Sequence, residues 1–143
     1  AEVEVDPQTG QSQVVRYVIV DDFGYLLNPM LVEGQVHGGV VQGLGQAMME
    51  HVVYDDNGQL LTASFMDYGM PRAADVPMFD FNSVVVPSTA NPIGMKGCGE
   101  AGTIGSMAAV SNAVMDALAS KGVTRADMPF TPQRVWSMLQ NAG

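Results

Sequence analysis

The chain has 143 residues, 47% hydrophobic and 15% charged, with a net charge of −9 at pH 7. This is enough for one domain with its own core, and the acidity argues against nucleic acid or an anionic membrane as partner. A lone cysteine, Cys98, excludes an internal disulfide and any cysteine-rich metal or iron–sulfur site within the chain, and no apolar run approaches the roughly 18 residues of a membrane span.

No basic region followed by an apolar one opens the sequence, so a cytoplasmic location is expected. The absence of an initiator methionine and the immediate start of a strand pattern suggest a piece or processed product. The eleven methionines are expected mostly in the core.

In chain order, Glu2 to Asp6 alternates apolar and acidic residues, Asp6 to Gly10 carries turn chemistry, and Gln13 to Asp21 is apolar on both sides. This predicts an antiparallel hairpin whose second strand lies deep in a sheet. Asn28 is a good N-cap and Pro29 suits a first turn, which predicts a helix to about Glu50. Val36, Val40, Leu44, Ala47 and Met48 form its apolar stripe. Its other face gathers Gln35, Gly38, Gly39, Gln42 and Gln46, with Gly34, Gly43 and Gly45 nearby. Each glycine costs about 1 kcal/mol against alanine inside a helix, so either a close helix–helix seam or a polar ligand on this face is implied.

His51 to Tyr54 and Gln59 to Thr62 flank Asn57-Gly58, a strong signal for a second hairpin. Ser64 to Phe79 reads as a long loop, and Asp80 to Pro87 as a strand. Thr103 is the expected N-cap of a helix to about Ala119, with Ile104, Met107, Ala108, Ser111, Met115 and Leu118 on one face. Lys121 to Pro129 is a connection. Thr131 and Pro132 start a short last helix with Val135, Trp136 and Leu139 turned inward. The expected fold is a single α+β domain over residues 1–143, a mainly antiparallel sheet packed against two long helices with a short C-terminal helix.

Before the second long helix lies the densest cluster of glycines, Gly94, Gly97, Gly99, Gly102 and Gly105. Gly97 to Gly102 spells G-x-G-x-x-G, but no strand runs into it and no acidic strand follows, so the dinucleotide fingerprint lacks its context. Glu100 is the only carboxylate in this turn. Burial would raise its pKa and the helix start would lower it, leaving two roles open: a general base, or a charge that stabilises the helix. Cys98 could be a nucleophile near a helix start or a small packed residue. His37 and His51 have no other ligand-type residue at metal-binding spacing, so no protein-ligated metal is expected.

Three stretches together resemble the molybdenum hydroxylase family of xanthine dehydrogenases, aldehyde oxidases and carbon monoxide dehydrogenase-type large subunits. They are Gly34-Gln-Val-His-Gly-Gly-Val-Val-Gln-Gly-Leu-Gly45, Asp67-Tyr-Gly-Met-Pro71, and Lys96-Gly-Cys-Gly-Glu-Ala-Gly102 with Asn112-Ala-Val114. The resemblance covers the C-terminal end of the molybdopterin-binding subunit. It implies that Glu100 is the active-site base beside molybdenum and that Gln42 lies close to the cofactor. Gly97, Cys98 and Gly99 are carried with them as cofactor-binding positions, although a valine is common where Cys98 stands. It further implies a molybdenum–molybdopterin cofactor, in many bacterial members the cytosine dinucleotide form. Iron–sulfur clusters and FAD would sit on other domains or subunits, and the substrate would be a small molecule: an aldehyde, an N-heterocycle or carbon monoxide. The remainder of the molybdopterin-binding subunit would be the nearest partner, and the chain alone would be inactive. Two other functions are weighed against this: a cofactor-free acidic interaction domain retaining the fold, and an independent dinucleotide-binding domain.

Overall fold

The computed structural model describes residues 1–142. Strands β1 (Glu2–Val5) and β2 (Ser12–Asp21) pair antiparallel. Asp6 makes their turn: its carboxylate accepts the Gln8 N–H at 2.9 Å and the Thr9 hydroxyl at 2.7 Å. Gly10 closes the turn at φ +74°, where a Cβ would stand 2.2 Å from the Pro132 carbonyl oxygen, so glycine is required by both conformation and space. The pairing register shifts between Glu2 and Val3, opposite Arg16 and Val14. This irregularity leaves Val14, Tyr17 and Ile19 buried, while Val15, Val18 and Val20 are exposed. β2 is therefore covered on one face only, not on both as its apolar run suggested.

Strand β3 (Phe79–Ser83) pairs with β2 in parallel, from Tyr17 opposite Phe79 to Asp21 opposite Ser83. The sheet, in the order β1-β2-β3, is therefore mixed and not mainly antiparallel. The second hairpin, expected to supply antiparallel strands, stays apart and holds only an isolated bridge between Tyr54 and Leu60. Its turn forms as the residues require, with Asp55 Oδ1 accepting the N–H groups of Asn57 and Gln59. Val52, Tyr54 and Leu61 nevertheless remain exposed, so no apolar face lays this hairpin on the sheet. β3 is reached instead through a helix and a long loop, the kind of crossover that parallel pairing needs.

That helix, α1, is Pro29–Met48, with Asn28 Oδ1 accepting the Leu31 N–H at 3.2 Å. The loop after it holds one short 3₁₀ turn, Ala73–Asp75. Helix α2 is Ala101–Ala119 and helix α3 is Pro132–Asn141. α2 begins two residues before the expected Thr103 cap. Thr103 sits inside its first turn, and its hydroxyl donates to the Gly39 carbonyl of α1 at 3.0 Å. The protein is α+β, with its helices on one side of a small sheet.

The core joins the predicted α1 stripe to Val14, Tyr17 and Phe23, to Val110, Val114 and Leu118 of α2, and to Phe130 and Val135. The expected inner face of α2 holds at Leu118 and partly at Met115 but is misplaced toward the helix start. Gly102, Ser106, Val110, Val114 and Leu118 are buried, whereas Ile104 is 65% exposed. Small residues brought α2 against α1 along a row that a search for large apolar side chains passes over. Trp136 is 44% exposed, so only Val135 of the expected α3 residues is fully buried. Most methionines are not core either: Met48 is buried, but Met30, Met66 and Met78 are each more than 70% exposed. No helix among the described residues is long and apolar enough to cross a membrane.

At the seam, a Cβ on Gly102 would lie 2.5 Å from the Val36 carbonyl oxygen and 2.9 Å from the Val40 nitrogen, both backbone atoms. A Cβ on Gly34 would meet nothing within 4 Å. Chemical denaturation is therefore expected to show Gly102→Ala destabilised by about 1–3 kcal/mol. Gly34→Ala should instead be stabilised by about 0.5–1 kcal/mol, the helix-propensity gain alone.

Candidate functional site

Helices α1 and α2 meet through three contacts made by small residues. Gly43 faces Ser106, where a Cβ would stand 2.7 Å from the serine Cβ, and the Ser106 hydroxyl donates to the Val40 carbonyl at 2.8 Å. Gly39 lies against the backbone of Gly102 and Thr103, 3.0–3.2 Å from a would-be Cβ. These glycines are the packing seam. The remaining polar face of α1 diverges from α2 and opens a groove of about 410 Å³. Gln35, Gly38 and Gln42 form one wall, and Gly99, Glu100, Ile104 and Met107 form the other. The seam reading of the glycine-rich face is therefore realised at Gly39 and Gly43, and the adjacent strip of α1 lines the groove.

Glu100 stands at the N-cap of α2 with its side chain exposed and making no cap hydrogen bond. Gln42 faces it from α1, exposed and without a hydrogen bond among the described residues. Gln35 Nε2 bridges the walls, donating to the Gly99 carbonyl at 2.8 Å. Of the residues singled out from sequence, Glu100, Gln42 and Gly99 line the groove. Gly97 and Cys98 do not. Gly97 is exposed with open space at its Cβ position, and Cys98 is half-buried against the core.

The segment entering the groove is held by bonds the sequence reading did not foresee, and by one residue, Asp22, that it passed over. Asn91 Oδ1 accepts the N–H groups of Gly94 and Met95 at 2.7 and 3.2 Å, and its amide donates to the Met95 carbonyl at 2.9 Å. Lys96 N–H donates to the Phe23 carbonyl at 2.8 Å and Tyr25 N–H to that of Gly94 at 3.2 Å, which lays the segment along residues 23–25. Asp22 fastens the junction: Oδ1 accepts from Gly24 and Val86 N–H at 2.9 and 3.1 Å, and Oδ2 pairs with the Lys96 ammonium. The Lys96 bond, helped by the Gly24 and Val86 amides, holds the Asp22 carboxyl down at about 2. Asp22-Phe-Gly24 and Asn91-Pro-Ile-Gly94 are legible turn sequences, the signal that would have found them.

His37 lies on α1 away from the groove, its ring edge-on to Phe79 and Phe81 at 5.2 and 6.4 Å between centroids. Among the described residues no three His, Cys, Asp or Glu side chains gather as metal ligands. The groove offers amides, open backbone and one carboxylate. Another hollow, of about 630 Å³, lies between the α2–α3 connection and α3 beside Arg125 and Arg134, and contains none of the residues above.

The chain matches the profile of the molybdopterin cofactor-binding domain over residues 1–77, which takes in the α1 wall of the groove and ends before Glu100. The chain belongs to that family, within the molybdenum hydroxylases. It is 42% identical over 138 residues to the carbon monoxide dehydrogenase large chain of Hydrogenophaga pseudoflava, covering 96% of this chain and 17% of that one. It is 44% identical to the nicotine 6-hydroxylase large subunit of Paenarthrobacter nicotinovorans, covering 93% of this chain and 16% of the relative. Among solved structures, quinoline 2-oxidoreductase from Pseudomonas putida 86 superposes with a TM-score of 0.94 at 42% identity, over 99% of this chain and 18% of that one. The chain thus spans about a sixth of the length of these relatives, and they are oxidoreductases.

Because the Asp22 pKa is depressed in the folded state, its contribution to stability is complete above the unfolded value near 3.8 and is lost as pH falls toward about 2. The gap in thermal midpoint between wild type and Asp22→Asn is expected to be constant above about pH 5 and to close across that acid window. Thermal unfolding followed by circular dichroism from pH 2 to 7 checks this.

Proposed function

We propose that residues 1–143 are the C-terminal, cofactor-facing portion of a molybdenum hydroxylase large subunit, with Glu100 as the active-site base. The observation that carries the reading is the placement of Glu100 and Gln42 on facing walls of one groove. The groove also suits the cofactor. The positions of Gly34, Gly38 and Gly99 open onto empty space, which a Cβ would begin to fill and through which a large polar group reaches the backbone. Gln42 has a free amide to donate and accept hydrogen bonds, and the uncapped start of α2 favours negative charge of the kind a pyrophosphate carries. The cytosine dinucleotide form of the cofactor fits this reading.

When bound, the molybdenum cofactor supplies the redox centre that accepts electrons from the substrate. Gln42 would orient the cofactor from the α1 wall. Glu100 would take a proton from the attacking oxygen nucleophile on the substrate side, a role that needs a carboxylate free of a cap bond, as this one is. Ile104 and Met107 would exclude water beside it. The substrate class is an aldehyde, an N-heterocycle or carbon monoxide; the relatives above are named for carbon monoxide, nicotine and quinoline. Iron–sulfur and flavin partners would carry electrons away. The remainder of the subunit would close the groove, so the isolated chain should fold without turning substrate over.

In the complete enzyme, Glu100→Gln preserves shape and polarity but removes the proton acceptor. Turnover is expected to fall by about 10²–10⁴-fold while molybdenum content and thermal midpoint stay near those of wild type. Full turnover with a small loss of stability would instead identify Glu100 as a charge at a helix start, and a complete protein without molybdenum or pterin would support an acidic interaction domain.

A further inference from the structure

Glu100 is reached from the sheet through Gly97, Cys98 and Gly99, a short path that packs on the core at the half-buried Cys98 and is open at the glycine on each side of it. Would-be Cβ atoms on Gly97 and Gly99 meet nothing within 4 Å, and the one hydrogen bond to these three residues among those described is Gln35 Nε2 to the Gly99 carbonyl. Gly97 and Gly99 add no side-chain packing to hold the backbone on either side of Cys98, so the position of Glu100 depends on how firmly each end of the path is held. The downstream end is the α1–α2 seam with Gln35. The upstream end is Lys96, the single cation between Arg72 and Lys121.

We propose that Asp22 is a positioning residue for Glu100, acting through Lys96. Its carboxylate joins three separate pieces of chain: its own turn at Gly24, the continuation of β3 at Val86, and the Lys96 ammonium. The first two bonds fix the carboxylate to the sheet, and the third transmits that fixed point to the residue where the glycine path begins. Asp22 does not line the groove, so it reaches the chemistry only through this relay. The ordinary alternative is a pair that merely strengthens the fold, since backbone bonds at Phe23 and Gly94 already hold residues 94–96. The two differ in consequence. A fold-stabilising pair changes the melting temperature alone, while a positioning pair changes how often the base is aligned, and a displacement of about 1 Å can cost about 10²-fold in rate.

This rests on Glu100 being the base, and the test separates the two ideas. In the complete, molybdenum-loaded enzyme, Asp22→Asn keeps an oxygen for Gly24 and Val86 but weakens the bond to Lys96, while Lys96→Gln leaves both Asp22 backbone bonds untouched. Both variants are expected to lower kcat by about tenfold or more, with KM within about twofold and molybdenum content unchanged. Lys96→Arg should restore most of the loss. Hydrogen exchange of the residue 96 amide, which donates to the Phe23 carbonyl at the upstream end of the path, should accelerate about tenfold, with the amides of residues 110–118 unchanged. Adding Glu100→Gln to Asp22→Asn should cost less than Glu100→Gln does alone, because the base is already displaced.

If Glu100→Gln abolishes turnover while Asp22→Asn and Lys96→Gln keep full kcat and lose only thermal stability, the positioning role is overturned and the base stands. If Glu100→Gln itself keeps full turnover, the base assignment falls and this inference with it. Should Asp22→Asn fail to assemble, Lys96→Gln decides; failure of both to assemble makes the pair structural and overturns the proposal.

Discussion

The close approach of α1 and α2 is the constraint on which the rest of the molecule depends. Side chains of ordinary size at residues 39, 43 and 102 would push the two helices apart, because the atoms they would meet include backbone that cannot rotate away. Glycine there permits the Thr103 and Ser106 hydroxyls to reach carbonyl oxygens of α1 and gives α2 a fixed height along its partner. Since Glu100 is the N-cap of α2, that height also sets where the carboxylate stands. The seam and the groove adjoin, with Gly39 and Thr103 belonging to both.

The electrostatics follow a similar economy. In a chain with 15 acidic and 6 basic side chains, most carboxylates are solvated, and Asp22 is the exception that gathers donors from three segments. Glu100 is at the opposite extreme, a carboxylate with neither a cap bond nor an ion pair among the described residues. The first arrangement ties three segments together and the second leaves a carboxylate open to solvent at the groove. Their separation along the chain by the glycine path lets each serve without compromising the other.

Much of this was legible in the sequence. Asn28-Pro29 announced α1 and the period of Val36, Val40 and Leu44 gave its inner stripe, whereas the glycine density around Gly97 marked close approach only at Gly94 and Gly102, with open space at Gly97, Gly99 and Gly105. Gln42 was legible from helical spacing on the polar face of α1 and Glu100 as the only carboxylate of the glycine turn, while the resemblance alone implied their roles beside a cofactor. What escaped had physical reasons. A strand such as β3 carries no mark of whether its neighbour runs with it or against it, and the strong Asn57-Gly58 turn favoured local pairing that never joined the sheet. The buried face of α2 was missed because Gly102 and Ser106 pack by being small, while Ile104 and Met107, the conspicuous apolar residues, face the groove. Asp22 could not be paired with Lys96 across 74 residues without knowing that the segment before α2 folds back beside β2.

The sheet leaves Val15, Val18 and Val20 on an open face, and Val84 to Val86 continue from β3, all exposed. Such a surface is adhesive, and what keeps copies of this chain apart in dilute buffer is their shared negative charge. Charge repulsion reaches about 10 Å at 0.1 M salt and only about 3 Å at 1 M, whereas the attraction between apolar faces does not fade with ionic strength. Concentrated sulfate is therefore expected to favour self-association of this domain through its valine face.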